Sequence, residues 1–190
     1  MKRGSVVYLD DDIAGFNLAA SLPLLSEQRR AQTLKFRHEL GRKLCACAYL
    51  LLCKGLRDEY GISEPPVFGY GEHGKPFLLD HPDIHFSLSH CREAAICVLS
   101  DRPVGVDIEC LRAVKESLVA YTMNDEERRI ILRAPRPELE FIRLWTQKEA
   151  VVKCSGNGIS TDMKHVLDGR SSGLVTVTGP ADRYVYSICS

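Results

Sequence analysis

The stretch that decides the fold of this 190-residue chain reads Gly105-Val106-Asp107-Ile108-Glu109. Acidic and aliphatic residues alternate along it, and successive side chains of a strand lie on opposite faces. The pattern therefore predicts a strand that has Asp107 and Glu109 on one face and the aliphatic pair on the other.

A second informative stretch follows further along the chain and reads Trp145-Thr146-Gln147-Lys148-Glu149-Ala150-Val151-Val152-Lys153. It has a helical pattern, with Trp145, Glu149 and Lys153 on one face at spacings of four. If this helix packs on the strand, three carboxylates and a lysine meet. Mg²⁺ binds oxygen ligands, usually a few carboxylates together with substrate phosphate. The two stretches thus favour phosphoryl chemistry over proteolysis or redox chemistry.

Simpler interpretations of the same residues exist. An isolated Asp-x-Glu on a strand is most often a solvated edge, since charged residues are mostly exposed. Glu149 precedes Lys153 by four residues, which is the favoured spacing of a surface ion pair, and on these two residues alone that is the better interpretation. Against it, Trp145 and Val152 give the helix an apolar face and Glu149 lies beside that face.

Composition excludes several classes of protein. The chain carries 25 basic and 25 acidic residues, a balance that argues against a general nucleic-acid binder. Its longest apolar stretch, around residues 44–53, is far short of a membrane span. No signal peptide is visible before Asp10-Asp11-Asp12, so we expect a cytoplasmic protein.

The chain has eight cysteines, with no Cys-x-x-Cys pair and no zinc-type spacing to a histidine. We expect them to be small buried hydrophobic residues in a reducing compartment, with disulfides or a metal as the less favoured alternatives. They are Cys45, Cys47, Cys53, Cys91, Cys97, Cys110, Cys154 and Cys189.

The order of patterns predicts a mixed α+β fold. A strand over residues 4–9 is followed by a helical pattern from about Ser26 to Gly55, which ends at Gly55 or Gly61. Asn124 with Glu127 forms a capping-box signal for a later helix. The remaining predicted elements are strands at 84–88, 94–99, 104–109, 174–178 and 184–189, and a helix at 138–154. Two α+β halves of similar make-up result.

The two stretches also resemble a known family. The 4′-phosphopantetheinyl transferases carry a G-[IV]-D-[IV]-E strand and a W-[ST]-x-K-E-[SA]-x-x-K helix in this order. This chain departs only at Ala150, where serine is commoner. Gly74-Lys75-Pro76 and Phe86-Ser87-Leu88-Ser89-His90 fit the same family, so four motifs cover residues 74–153.

The resemblance implies an α+β fold of the two-half, Sfp-like type, with two pseudo-twofold-related halves and the active site in the cleft between them. Residues 1–103 would form the coenzyme A side, and residues 104–190 would carry the metal site and the catalytic helix. The chain is longer than the single-half, trimeric members of the family, so we expect a monomer.

The resemblance also implies roles for residues. Asp107, Glu109 and Glu149 would bind Mg²⁺, and Glu149 could also be the general base. Lys153 would lie near the reacting phosphate, as a catalytic and coenzyme A-binding residue. Lys148 would have a supporting or carrier-facing role.

Four further residues are implied to bind coenzyme A. Ser89 and His90 would contact a ribose phosphate, the histidine as a protonated imidazole. Lys75 would contact the nucleotide end, and Arg42 would contact the 3′-phosphate. The simpler alternatives are a structural or exposed histidine, an ordinary Gly-Lys-Pro turn and a solvated helix face.

The implied function is Mg²⁺-dependent transfer of 4′-phosphopantetheine from coenzyme A to a serine of an apo acyl, peptidyl or polyketide carrier protein, with release of adenosine 3′,5′-bisphosphate. The carrier-facing surface is expected between Leu111 and Pro137. One alternative is a non-catalytic module of the same fold that binds coenzyme A or the carrier. Another is a different Mg²⁺-dependent phosphotransferase or nuclease.

Overall fold

The computed structural model describes residues 4–158, 162–169 and 173–190, and its fold is α+β. The first part of the chain forms β1 (Val6–Asp10), α1 (Leu18–Ser21), α2 (Glu27–Leu34), α3 (Glu39–Tyr60), β2 (Phe68–Tyr70), β3 (Pro76–Leu78), β4 (His85–His90) and β5 (Ala95–Ser100). The remainder forms β6 (Gly105–Cys110), α4 (Glu116–Thr122), α5 (Asp125–Arg133), α6 (Pro137–Ser155), β7 (Leu174–Thr178) and β8 (Tyr184–Cys189).

Two three-stranded antiparallel sheets organise the described residues. The first has the strand order β1-β5-β4 and the second has the order β6-β8-β7, while β2 and β3 form a separate hairpin. In both three-stranded sheets the strand that comes last in the chain lies in the middle. The long helix α3 packs on the first sheet, and α6 packs on β6 and β8 of the second.

One hydrophobic cluster spans both sheets. Val106 and Ile108 of β6 are buried against Ile96 and Val98 of β5. These are the aliphatic positions of the alternating stretch, so the predicted division of β6 into an apolar face and an acidic face is confirmed. Because Val106 and Ile108 are buried on one face of β6, Asp107 and Glu109 lie on the opposite face.

Gly105 allows the close approach of α6 to β6. A Cβ atom at this position would overlap with the backbone at Ala150 and Cys154 of the helix. Only glycine lacks that atom, so the helix can pack directly on the strand. This contact brings the last two turns of α6 beside the acidic face of β6.

Most predicted elements are confirmed, but the helical pattern from Ser26 to Gly55 was wrong as a single helix. It forms α2 and α3, with extended backbone at His38 between them. The ring of Phe36 packs against Gly41, and the Phe36 carbonyl accepts a hydrogen bond from Nε of Arg42.

Gly61, with φ of 71°, ends α3. The short β2–β3 hairpin was not predicted, because its strands have three residues each.

Within the described residues, no helix combines the length and the apolar character needed to cross a membrane. Six of the eight cysteines are buried and two are half-buried, as expected for small hydrophobic core residues.

Candidate active site

Asp107 is a buried carboxylate in the middle of β6, with 6% of its surface exposed. Its Oδ1 accepts hydrogen bonds from the Ser89 hydroxyl at 3.0 Å and from Lys153 Nζ at 2.6 Å. Its Oδ2 is also buried and has no hydrogen-bond partner among the described residues. A buried polar atom without a partner costs free energy, so such an atom calls for a bound ion, a water or a functional role.

Lys153 joins the end of α6 to the strand. Its Nζ lies 2.6 Å from Asp107 Oδ1 and 3.1 Å from Ser89 Oγ. The described residues show no ion pair between Lys153 and Glu149, so the simple interpretation of these two as a surface pair is wrong. An ammonium group has three N–H donors. Two are used by Asp107 and Ser89, which leaves one for a ligand.

Glu109 and Glu149 are half-buried and lie in the field of Asp107. Burial and the negative charge of Asp107 raise the pKa of both carboxyl groups. Arg112 and a hydrogen bond from the Trp145 indole oppose this shift at Glu109, and Lys153 opposes it at Glu149. The charge of Glu109 further raises the pKa of Glu149. The three predicted metal ligands are therefore electrostatically coupled.

The donor set suits a hard cation, although the three carboxylates do not form a closed cage. Within the described residues, no group of three potential ligands converges on one metal position. Mg²⁺ is usually held by one or two carboxylates together with waters and substrate phosphates, so a full protein cage is not needed. The unpartnered Oδ2 of Asp107 and the raised pKa values of its neighbours fit a cation at this place. The ligand roles of Asp107, Glu109 and Glu149 stay a prediction.

A cleft of about 350 Å³ adjoins these residues. Glu149 and Lys153 line one wall, and Gly74, Lys75 and Pro76 line another. The cleft thus brings the Gly-Lys-Pro motif to the helix motif, from distant parts of the chain. Lys153 both lines the cleft and contacts Asp107, so the carboxylates lie at its edge.

Lys75 is half-buried and lies at the C-terminal end of α6. Its Nζ donates hydrogen bonds to the carbonyls of Val104 at 3.2 Å and Cys154 at 2.9 Å. A cation at a helix C-terminus interacts favourably with the exposed carbonyls and the helix dipole. Burial lowers the pKa of Lys75. Lys75 therefore holds the 74–76 loop against the helix, and its contact with a nucleotide stays a prediction.

Ser89 and His90 follow one another at the end of β4 but have different surroundings. Ser89 is buried, and its single hydroxyl proton is donated to Asp107. In this arrangement it has no donor left for a phosphate, so the predicted phosphate contact would need a rearrangement. His90 is exposed at the surface, and the protein packed around its ring and the charge of Lys153 lower its pKa.

Arg42 is not brought to this cleft. It lies near the start of α3, where its guanidinium donates to the Phe36 carbonyl at 2.9 Å, and it is not among the residues that line the cleft. The predicted contact with a 3′-phosphate would therefore lie outside the cleft described here. That role stays a prediction of the resemblance.

Lys148 is fully buried, which excludes a carrier-facing role. Its Nζ lies 2.8 Å from Oε2 of Glu127 and donates to the carbonyl of Met163 at 2.6 Å. Glu127 is also the acidic member of the capping box of α5 with Asn124. Lys148 thus ties α6 to α5 and to the segment after α6. The capping box was predicted from the sequence, whereas the ion pair between Lys148 and Glu127 was not.

The sequence of this chain is similar to those of known proteins. Residues 103–186 match the model of the 4′-phosphopantetheinyl transferase superfamily. The chain is 30% identical over 155 residues to the 4′-phosphopantetheinyl transferase psf-1 of Bacillus pumilus, covering 80% of this chain and 66% of that protein. The chain belongs to the 4′-phosphopantetheinyl transferase superfamily.

Two other members of this superfamily support the assignment. The chain is 25% identical over 157 residues to the 4′-phosphopantetheinyl transferase Sfp of Bacillus subtilis (strain 168), covering 81% of this chain and 70% of that protein. It is 35% identical over 101 residues to the 4′-phosphopantetheinyl transferase HetI of Nostoc, covering 49% and 43% of the two chains. The chain thus spans 66% to 70% of the length of the psf-1 and Sfp relatives.

Proposed function

We propose that this protein transfers the 4′-phosphopantetheine group of coenzyme A to a serine hydroxyl of an apo carrier protein and releases adenosine 3′,5′-bisphosphate. One observation carries the proposal. A single cleft is lined by Lys75, Glu149 and Lys153, and Lys153 contacts a buried carboxylate that has one unpartnered oxygen. These groups match the needs of a reaction between a hydroxyl and a pyrophosphate.

The reaction needs three things from the protein. The serine oxygen forms a bond to the phosphorus that carries pantetheine, and the bond from that phosphorus to the oxygen of adenosine 3′,5′-bisphosphate breaks. The serine proton must be accepted, the anionic leaving group must be stabilised, and the two reactants must be held in line.

Glu149 is the proposed acceptor of the serine proton. A general base is most effective when its pKa lies near the working pH. Burial and the charge of Asp107 raise the pKa of Glu149, which shifts it in that direction. It lies on the cleft wall one helical turn before Lys153, so the carboxylate and the ammonium group are on the same surface.

Lys153 is the proposed stabiliser of charge on the phosphate oxygens. Its remaining N–H donor lies at the cleft wall, while Asp107 and Ser89 hold the other two. A preorganised donor of this kind acts most strongly on charge that develops in the transition state. When bound, Mg²⁺ would be held by Asp107, Glu109 and Glu149 and would neutralise the charge of the pyrophosphate oxygens.

The remaining features of the proposal follow from the family. The protein would work as a monomer in the cytoplasm, with two pseudo-twofold halves divided near residue 103 and the active site between them. The matching strand orders of the two three-stranded sheets support this division. No role for nucleic acid or membrane is proposed.

The carrier would dock on α4 and α5, within the stretch from Leu111 to Pro137. Tyr121 and Leu132 are each 78% exposed there. Leu132 lines a groove of about 230 Å³ together with apolar side chains such as Val119, Ile131 and Phe141. Three charged residues also line this groove: Glu116, Arg128 and Glu138. A carrier that offers an apolar helix face would cover these side chains.

The test is incubation of the protein with coenzyme A, Mg²⁺ and an apo carrier, followed by mass spectrometry of the carrier. We expect the carrier to gain one phosphopantetheine. Binding of coenzyme A in calorimetry without transfer to any apo carrier tried would favour the non-catalytic module instead. Hydrolysis of nucleic acid or transfer from another phosphate donor would favour the other Mg²⁺-dependent alternatives.

A further inference from the structure

Strands β4 and β6 lie side by side where the two sheets meet, and serine hydroxyls join them. The Ser87 hydroxyl accepts a hydrogen bond from the backbone N–H of Val106 at 3.0 Å, and the Ser89 hydroxyl accepts one from Ile108 at 3.2 Å. Both serines are buried. Each hydroxyl therefore satisfies a buried backbone donor that would otherwise lack a partner.

The two serines differ in what else they contact. Within the described part of the chain, the Ser87 hydroxyl has the Val106 N–H as its one hydrogen-bond partner. The Ser89 hydroxyl also donates to Oδ1 of Asp107 at 3.0 Å and accepts from Nζ of Lys153 at 3.1 Å. Its one proton and both acceptor positions are thus in use.

These contacts make the two oxygens of Asp107 unequal. Oδ1 receives Ser89 and Lys153, whereas Oδ2 is buried and unpartnered among the described residues. A carboxylate that is held at one oxygen cannot rotate freely, so its other oxygen keeps a fixed place. Groups that hydrogen-bond to a metal ligand without touching the metal orient that ligand. Their loss costs about 10- to 100-fold in metal affinity.

We propose that Ser89 is a positioning residue whose hydroxyl fixes Oδ1 of Asp107 and thereby reserves Oδ2 for the cation. This inference rests on the proposed function, because it assumes a metal at Asp107. It assigns Ser89 to the carboxylate rather than to a phosphate of coenzyme A. Ser89 acts through Asp107 and does not touch the reacting atoms.

The test compares Ser89→Ala with Ser87→Ala. Both variants lose a hydroxyl that accepts a hydrogen bond from a backbone N–H of β6, so both should have a lower melting temperature than the parent protein. Only Ser89→Ala removes the donor to Asp107. Calorimetric titration of Mg²⁺ into protein saturated with coenzyme A should give an approximately tenfold or greater rise in Kd for Ser89→Ala. The Kd of Ser87→Ala for Mg²⁺ should stay within about twofold of that of the parent protein, because only groups that contact a metal ligand tune its affinity and the Ser87 hydroxyl contacts Val106 instead.

A second titration separates positioning from coenzyme A contact. Binding of coenzyme A in EDTA should be unchanged by Ser89→Ala. Weaker coenzyme A binding in EDTA with unchanged Mg²⁺ affinity would overturn the proposal and restore the phosphate contact. If Ser89→Ala does not fold, Ser89→Cys, which keeps the size but has a weaker donor, should raise the Mg²⁺ Kd in the same direction, and an unchanged Kd would overturn the proposal.

The outcomes also distinguish this inference from the proposed function. A parent protein that binds no Mg²⁺ in the presence of coenzyme A would overturn both. A parent protein that binds Mg²⁺ and transfers phosphopantetheine, with a Ser89→Ala variant of normal Mg²⁺ affinity, would overturn the positioning role alone.

Discussion

Nζ of Lys153 lies 2.6 Å from Oδ1 of Asp107, which makes a part-buried ion pair between the last turn of α6 and the middle of β6. About 32% of the Lys153 side chain is exposed, against 8% for Asp107. The lysine therefore offsets the charge of a buried carboxylate while it keeps access to the cleft. Its removal should affect stability and catalysis together.

Lys153→Ala should lower both the melting temperature and kcat. Asp107 would be left buried with a single hydroxyl donor, which destabilises the fold, because an uncompensated buried charge is costly. Loss of a charge-stabilising group should lower kcat by roughly a hundredfold or more. Thermal unfolding and steady-state kinetics measure the two effects. Arg129→Ala, which removes an exposed ion pair with Glu126, is the control and should change neither. A Lys153→Ala variant with parent-like turnover would contradict the assignment.

Glu149→Gln should lower kcat by roughly a hundredfold, because an amide cannot accept the serine proton. It should also weaken Mg²⁺ binding, since it removes one ligand charge. Kinetics on an apo carrier and calorimetry with Mg²⁺ provide the measurements. Normal kcat with weakened Mg²⁺ affinity would mean that Glu149 is a ligand and not the base.

His90 provides a prediction about pH. The protein packed around one side of its exposed ring and the charge of Lys153 lower its pKa in the free protein, so the imidazole is neutral over a wider pH range than usual. A phosphate of bound coenzyme A would stabilise the protonated form and raise this pKa. Coenzyme A affinity should then fall as the pH rises through the pKa of the bound state. NMR titration of the His90 ring with and without coenzyme A measures the shift, and an unchanged pKa would argue against the contact.

The strand and helix that carry the site were predictable because their signals are local. The alternation in β6, the spacing by four of Trp145, Glu149 and Lys153 in α6, and the capping box at Asn124 each depend on residues within a few positions. The break between α2 and α3 was not, because it depends on packing of Phe36 against Gly41 in the folded chain.

The hydrogen-bond and ion-pair partners of the site residues could not be predicted from the sequence. The spacing of Glu149 and Lys153 suggests a pair, but Lys153 meets Asp107, which comes from a distant strand. Ser89 meets Asp107 for the same reason. Such partners follow from how β4, β6 and α6 pack together, and one sequence carries no direct sign of them.

Lys148→Met should destabilise the protein by about 3–5 kcal/mol, the cost of breaking a buried ion pair on one side. The change leaves Glu127 buried without its cation. The double variant Lys148→Met with Glu127→Leu should recover much of that loss, because no unpaired charge remains. Denaturant unfolding gives the free energies. Equal destabilisation in the single and double variants would show that Lys148 acts through its contact with the Met163 carbonyl instead.

The most direct test of the account is the formation of holo carrier by the parent protein and by Asp107→Ala, with Mg²⁺ and with EDTA, read by mass spectrometry. We expect the parent protein to add one phosphopantetheine with Mg²⁺ and none with EDTA. Asp107→Ala should stay folded by circular dichroism and add none in either buffer. Full transfer by Asp107→Ala in EDTA would contradict the central claim.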